Sequence, residues 1–213
     1  MRLLSLEVTN YRNIASASLT PGRELTVICG NNGQGKTNLL EAIVYLSCGR
    51  SPRTHADREL IGFGTDRARL VGQIRSRERE FETEIQLTRG RRRKMTVNGV
   101  AAKNGGDLSQ VLHTVFFSPE DLGIIKNSPA ERRRFIDLEL CQLDKLYLTD
   151  LAGYNHVLNQ RNKLLKDMYK QPDLGATLDV WDMQLVNYGR KIIGKRREFV
   201  ESLNEIIKEI HRN

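Results

Sequence analysis

Cysteine is scarce in this chain, with three in 213 residues. Cys29 lies in an apolar run, Cys48 at a predicted helix end and Cys141 in a later predicted helix, with no C-x-x-C pair. That excludes a disulfide framework or a zinc cluster as the basis of the fold. Aromatics make up 6% of the residues, and none forms a ladder beside a basic cluster, which argues against stacking on single-stranded nucleic acid. His55, His113, His156 and His211 are scattered, without the spacing of metal ligands. No apolar run approaches the roughly 18 residues needed to span a bilayer, and no leader-like stretch follows Met1 and Arg2. The expectation is a cytoplasmic protein without membrane contact. Acidic residues are outnumbered 26 to 34 by Lys and Arg, for a net charge of +8. That balance suits an anionic partner such as nucleic acid, and equally a well-solvated basic surface.

What is present is concentrated at residues 30–37, Gly-Asn-Asn-Gly-Gln-Gly-Lys-Thr, a complete G-x-x-x-x-G-K-[ST] phosphate-binding loop. Gly30, Gly33 and Gly35 let the backbone curl around phosphates and aim its N–H groups inward, together with those of Asn31, Asn32 and Gln34. Lys36 reaches the β- and γ-phosphates, and the Thr37 hydroxyl can ligate Mg²⁺. The flanks read as the expected context. Leu25-Thr-Val-Ile-Cys29 has the character of a buried strand, and residues 37–46 have helical spacing, so a triphosphate would sit at a helix N-terminus.

Beyond the loop the first half predicts strands. Leu3 to Val8 and Ser16 to Leu19 read as strands ahead of the loop. Residues 67–75 and 80–88 alternate with period two, Arg92 to Val97 continues the pattern, and Asn98-Gly99 is a hairpin signal. An antiparallel meander over about 67–102 is therefore expected. Val111 to Phe117 reads as a further buried strand, and Gly105 to Ser109 as a loop. Ser128-Pro-Ala-Glu131 is a capping box with proline at the first helical position. The remainder reads as three or four helices punctuated by Gly153, Pro172 and Gly175. In the last, Ile192, Phe199, Leu203, Ile206 and Ile210 form a coiled-coil-like seam broken by Arg196.

Hydrolysis needs more than a phosphate loop, because an acidic residue after a buried strand helps to hold Mg²⁺. The nearest candidates, Glu120 and Asp121, follow Pro119 and come later than the pattern requires, so a turn or cap suits them better. For DNA, the densest positive run is Arg89, Arg91, Arg92, Arg93 and Lys94, which matches sequence-blind phosphate contact. A strand edge guarded by cations accounts for it equally well. Arg132 to Arg134 are weaker candidates, since Glu131, Asp137 and Glu139 can neutralise them on a helix face, and Lys195 to Arg197 could equally flank the coiled-coil-like helix for solubility.

Five ordered segments carry a family resemblance: Leu6-Glu-Val-Thr-Asn-Tyr-Arg-Asn-Ile14, the loop at 30–37, Leu40-Glu-Ala-Ile43, Phe117-Ser-Pro-Glu-Asp-Leu122, and residues 127–137. Together they resemble the N-terminal portion of bacterial RecF proteins, whose heads are similar to those of SMC and Rad50. The resemblance implies an α/β P-loop ABC-type ATPase head, a mixed parallel core plus an antiparallel sheet, with an inserted helical lobe. The boundaries expected are 1–125 for the ATPase lobe and 126–213 for part of the helical lobe, the signature motif and acidic strand lying beyond residue 213. It also implies ATP and Mg²⁺ as ligands, an ATP-dependent homodimer, binding of double-stranded or gapped DNA, and action with RecR and RecO in loading RecA. Hydrolysis would be weak and no catalytic residue is identified. Arg12 and Asn13 correspond to the segment that approaches the nucleotide in related heads, and Asn38 continues the phosphate loop. A Rad50- or SMC-type head is the alternative, and a self-sufficient P-loop kinase a more distant one.

Overall fold

The computed structural model describes residues 1–54, 56–119, 128–169 and 171–212. His55, Glu120 and Asp121 therefore lie outside the described residues, as do Leu122 and Asn127 of the resemblance motifs. The chain divides into two compact units, Met1–Gly123 and Ile124–Asn213.

In the first unit, alternating sequences become a six-stranded sheet of order β2-β1-β3-β4-β5-β6, with every pairing antiparallel. The strands are β1 (Arg2–Tyr11), β2 (Ile14–Leu19), β3 (Arg67–Ser76), β4 (Arg79–Thr88), β5 (Lys94–Val97) and β6 (Val100–Ala101). Two-residue turns set the register. Arg77 and Glu78 join β3 to β4 with φ of 48° and 64°, and Asn98 and Gly99 join β5 to β6 with φ of 49° and 75°. Paired positive φ values are those of type I′ turns, which match strand twist. Asn-Gly announces its turn in the sequence, whereas Arg-Glu does not.

One sheet face buries Leu6, Val8, Leu70, Ile85 and Leu87 against Ala42, Tyr45 and Leu46 of helix α1 (Lys36–Cys48). Each large apolar side chain fully buried there contributes about 1.5–3 kcal/mol. Gly72 permits this approach, since a Cβ at that position would lie 2.2 Å from Leu46 Cδ2. The opposite face carries exposed cross-strand pairs, Arg69 with Glu84 at 2.6 Å, and Arg75 with Glu80. Surface pairs of this kind stabilise weakly.

Three expectations fail in this unit. Residues 25–29 form no strand, and Leu25 and Val27 are 78% and 76% exposed. Val111 to Phe117 forms none either; Val111 and Leu112 are buried, but Val115 and Phe117 face solvent. Apolar composition produces a buried strand only where neighbours offer a ladder and a covering layer, and among the described residues neither segment has a partner strand. Gly105–Ser109 is not a loop but a short helix, α2, whose N-cap Asn104 accepts a hydrogen bond from the Gly106 amide at 2.9 Å.

The second unit contains α3 (Pro129–Leu143), α4 (Lys145–Asp167) and α5 (Leu178–Arg212), with a 3₁₀ segment at Pro172–Thr177 before α5. Proline starts α3 as expected, but the Ser128 side chain makes no capping bond; Asp144 caps α4 instead, accepting from the Leu146 and Tyr147 amides. Leu140, Cys141, Tyr147, Leu148, Leu151 and Ile192 form the core. Gly153 does not interrupt α4. It is a packing glycine, because a Cβ would come within 2.6 Å of the Tyr188 ring. Along the α5 seam Ile192 is buried and Phe199 packs on the core, while Ile206 and Ile210 are exposed. Arg196, the break in that seam, is satisfied by both oxygens of Asp137 at 2.8 Å and by the Tyr147 hydroxyl at 3.1 Å.

Candidate functional site

The glycines of residues 30–37 take conformations closed to other residues: φ is 147° at Gly30, 80° at Gly33 and 95° at Gly35. The backbone thereby turns into the first turn of α1 at Lys36, a turn that contains no acidic residue. Helix-terminal N–H groups and the helix dipole make that end attractive to anions. Lys36 Nζ donates to the carbonyls of Gly30 and Asn31, each at 2.7 Å, so its ammonium spans the mouth of the loop. Gln34 Oε1 accepts from the Asn31 amide at 3.1 Å. Asn32 is exposed at the tip. Thr37 is exposed, and its hydroxyl has no hydrogen-bond partner among the described residues, which fits a hard-cation ligand such as Mg²⁺. No cluster of three His, Cys, Asp or Glu side chains is present among the described residues to hold a metal without a phosphate.

Around the loop lies a polar network that sequence reading did not foresee. Asn13, in the turn between β1 and β2, donates from Nδ2 to the Gly33 carbonyl at 2.6 Å. Its Oδ1 accepts from Asn38 Nδ2 at 2.8 Å, and Asn38 Oδ1 accepts from Arg53 at 2.9 Å. Asn13 and Asn38 thus meet each other and the loop. Arg12, which the resemblance placed near the nucleotide, directs its guanidinium at Glu41, with Nε and Nη2 donating at 3.0 and 2.8 Å, and donates from Nη1 to the Glu59 carbonyl at 3.1 Å. Glu41 is fully buried and also accepts from Ser51 Oγ at 2.6 Å. Donation to the Glu41 carboxylate raises the Arg12 pKa further, against the opposing effect of burial. Ser51 and Arg53 carry no signal in the sequence, and Glu41 stands there only within the Leu40–Ile43 segment. The available signal was a carboxylate among the apolar residues Leu40-Glu-Ala-Ile43, a position that demands a partner once buried.

The basic run at 89–94 separates in space. Arg91, Arg92 and Lys94 are exposed. Arg89 is exposed and donates to the Thr65 carbonyl at 3.2 Å, beside Asp66. Arg93 is the exception: its guanidinium lies 5.9 Å from the Tyr45 ring centroid and donates to Asp57 at 3.0 Å. Its side chain turns toward Asp57 and Tyr45, whereas Arg91, Arg92 and Lys94 face solvent.

Comparison with known proteins bears on the family and the fold. The AAA domain family matches residues 5–212. The DNA replication and repair protein RecF of Agathobacter rectalis is 48% identical over 213 residues, covering all of this chain and 59% of that protein. The chain belongs to the RecF family. RecF of Lachnospira eligens is 45% identical over 209 residues, 97% of this chain and 58% of its own length. The chain thus spans somewhat over half the length of these curated relatives. Among solved structures, the recombination mediator protein RecF-ATP of the RecFOR pathway superposes with a TM-score of 0.85 at 37% identity, over 94% of this chain and 54% of that one. The corresponding RecF-ATPrS structure gives 0.85 at 36% identity, over 95% and 55%. A structure from work on the ATP-driven dimerization of SMC ATPases reaches 0.50 at 21% identity, over 64% of this chain and 98% of that one, which shows a shared fold. The fold of this RecF-family chain is the ABC-type ATPase head. No described helix is long and apolar enough to cross a membrane.

Proposed function

We propose that residues 30–38 bind ATP with Mg²⁺, and that the protein is an ATP-controlled, DNA-binding recombination mediator. The observation that carries the reading is the loop itself: positive-φ glycines feed an acid-free helix start, with Lys36 at its mouth and an unpartnered hydroxyl at Thr37. Lys36 exchanges its carbonyl partners for phosphate oxygens, and Thr37 would hold Mg²⁺, which neutralises phosphate charge. Arg12 and Asn13 border the nucleotide. Residues 1–125 act as the ATPase lobe and 126–213 as part of the helical lobe. Double-stranded or gapped DNA is met through Arg91, Arg92 and Lys94 with Arg89 beside them, while Arg93 is committed to Asp57. The longer protein closes as an ATP-dependent homodimer in the cytoplasm and acts with RecR and RecO to load RecA, hydrolysing ATP weakly. Equilibrium titration with a fluorescent ATP analogue tests the site. Lys36→Ala removes a charge-assisted contact and is expected to weaken binding at least about ten-fold; unchanged affinity would refute the assignment.

A further inference from the structure

We infer that Asn13 is a positioning residue for the phosphate loop, the terminal member of a hydrogen-bond relay that anchors the loop to the buried Glu41 carboxylate. This rests on the nucleotide-site reading above and specifies how that site is held. The juxtaposition is direct. Asn13 uses both ends of its amide, donating to the Gly33 carbonyl at 2.6 Å and accepting from Asn38 at 2.8 Å, and Asn38 accepts in turn from Arg53 at 2.9 Å. Arg53 Nη1 lies 3.8 Å from Glu41 Oε2. Glu41 holds Ser51, whose hydroxyl oxygen also accepts from the Arg53 and Thr54 amides at 3.0 Å each. The relay therefore returns to the carboxylate by two routes.

The turn that presents Asn13 is itself fixed. Arg12 has φ of 53°, a strained value for a non-glycine residue, and is held there by three attachments: its amide donates to the Leu60 carbonyl at 2.8 Å, and its guanidinium binds Glu41 and the Glu59 carbonyl. Contact with the loop is close as well as polar. A Cβ on Gly35 would lie 2.8 Å from Asn13 Oδ1 and 3.0 Å from Ile14 Cγ1, so the glycine at this position seats the loop against the turn. The Gly33 carbonyl that Asn13 holds belongs to the peptide linking Gly33 to Gln34, within the stretch whose amides would face phosphate. A donor fixed on that carbonyl restrains the peptide plane and with it the direction of the Gln34 N–H. Asn13 thus acts through the loop backbone and not on the base or sugar.

The experiment compares binding of ATP and of inorganic triphosphate, each with Mg²⁺, to the 213-residue chain and its variants by calorimetry. Asn13→Ala is expected to weaken both ligands by the same factor, roughly three- to ten-fold for one lost hydrogen bond. The ligand-free melting midpoint is expected to stay unchanged. Asn13→Asp sets a carboxylate against the Gly33 carbonyl and is expected to lose more. Arg53→Gln, at the other end of the relay, is expected to weaken both ligands equally, and the double variant to lose less than the product of the single losses. A loss confined to ATP would place Asn13 on the nucleoside and overturn the proposal, as would unaltered affinity or fully independent effects. Wild-type protein that binds neither ligand, or a Lys36→Ala variant that binds normally, would instead remove the nucleotide site itself.

Discussion

Each unit of the chain places an arginine against a carboxylate within an otherwise apolar pattern, and the two solutions differ in how far they exclude water. In the first, Glu41 is completely buried and accepts from Arg12 and Ser51. In the second, Asp137 and Arg196 keep 18% and 23% of their side-chain surface and share a hydroxyl with Tyr147. The first is a dry hub connected to the phosphate loop; the second is a half-wet clamp between helices. A carboxylate stranded in the dry site has no water to replace its donors, whereas one stranded in the wet site does. The same pair of residue types therefore carries different consequences.

The largest expected effect follows from breaking the dry hub. Arg12→Ala leaves the buried Glu41 carboxylate with weakened compensation and is expected to destabilise the first unit by about 3–5 kcal/mol in urea denaturation, the range for a broken buried pair. Arg196→Ala, in the second unit, is expected to cost only about 1–2 kcal/mol because the partly exposed Asp137 can take water in place of the guanidinium and keeps the Tyr147 hydroxyl as a donor. Replacing both Asp137 and Arg196 by leucine is expected to be nearly neutral. If the two single variants cost the same, exposure does not set the difference, and the comparison fails.

The exposed ladder on the sheet supplies the smallest effect and a pH test. Glu84 has a lowered pKa, chiefly because it accepts from Gln86 and also from Arg69. A depressed folded-state pKa means that its contribution is present above the unfolded carboxylate pKa and is lost as pH falls through the lower folded value. Glu84→Gln is accordingly expected to lower the melting midpoint slightly at pH 7 and not at all in the most acidic range. A variant whose midpoint difference grows on acidification would reverse the assigned sign.

Much of the fold was legible because local chemistry determines it. Period-two alternation marked β3 and β4, Asn98-Gly99 marked its hairpin, Pro129 marked the start of α3, and the glycine spacing marked the loop together with α1. Readings failed where a residue's role depends on a neighbour remote in sequence. Leu25 to Cys29 and Val111 to Phe117 have strand composition, yet no ladder among the described residues receives them. Gly153 looks like a helix breaker until Tyr188 is seen packed against it. Arg93 reads as one of five equivalent cations until Asp57 and Tyr45 claim it.

The sequence by itself determined the phosphate loop, since glycine readily takes those φ values and that order of Gly, Lys and Thr sets backbone amides, an ammonium and a hydroxyl around one helix start. It also determined the meander, because side-chain alternation and turn residues act over a few positions. Tertiary structure alone decided what holds the loop in place: Asn13, Asn38, Arg53 and Glu41 stand up to 40 residues apart and acquire a common purpose only when the β1–β2 turn, α1 and the segment after it meet. Hydrogen bonds are short-ranged and directional, so which distant polar groups become partners is settled by where packing of the apolar face leaves them.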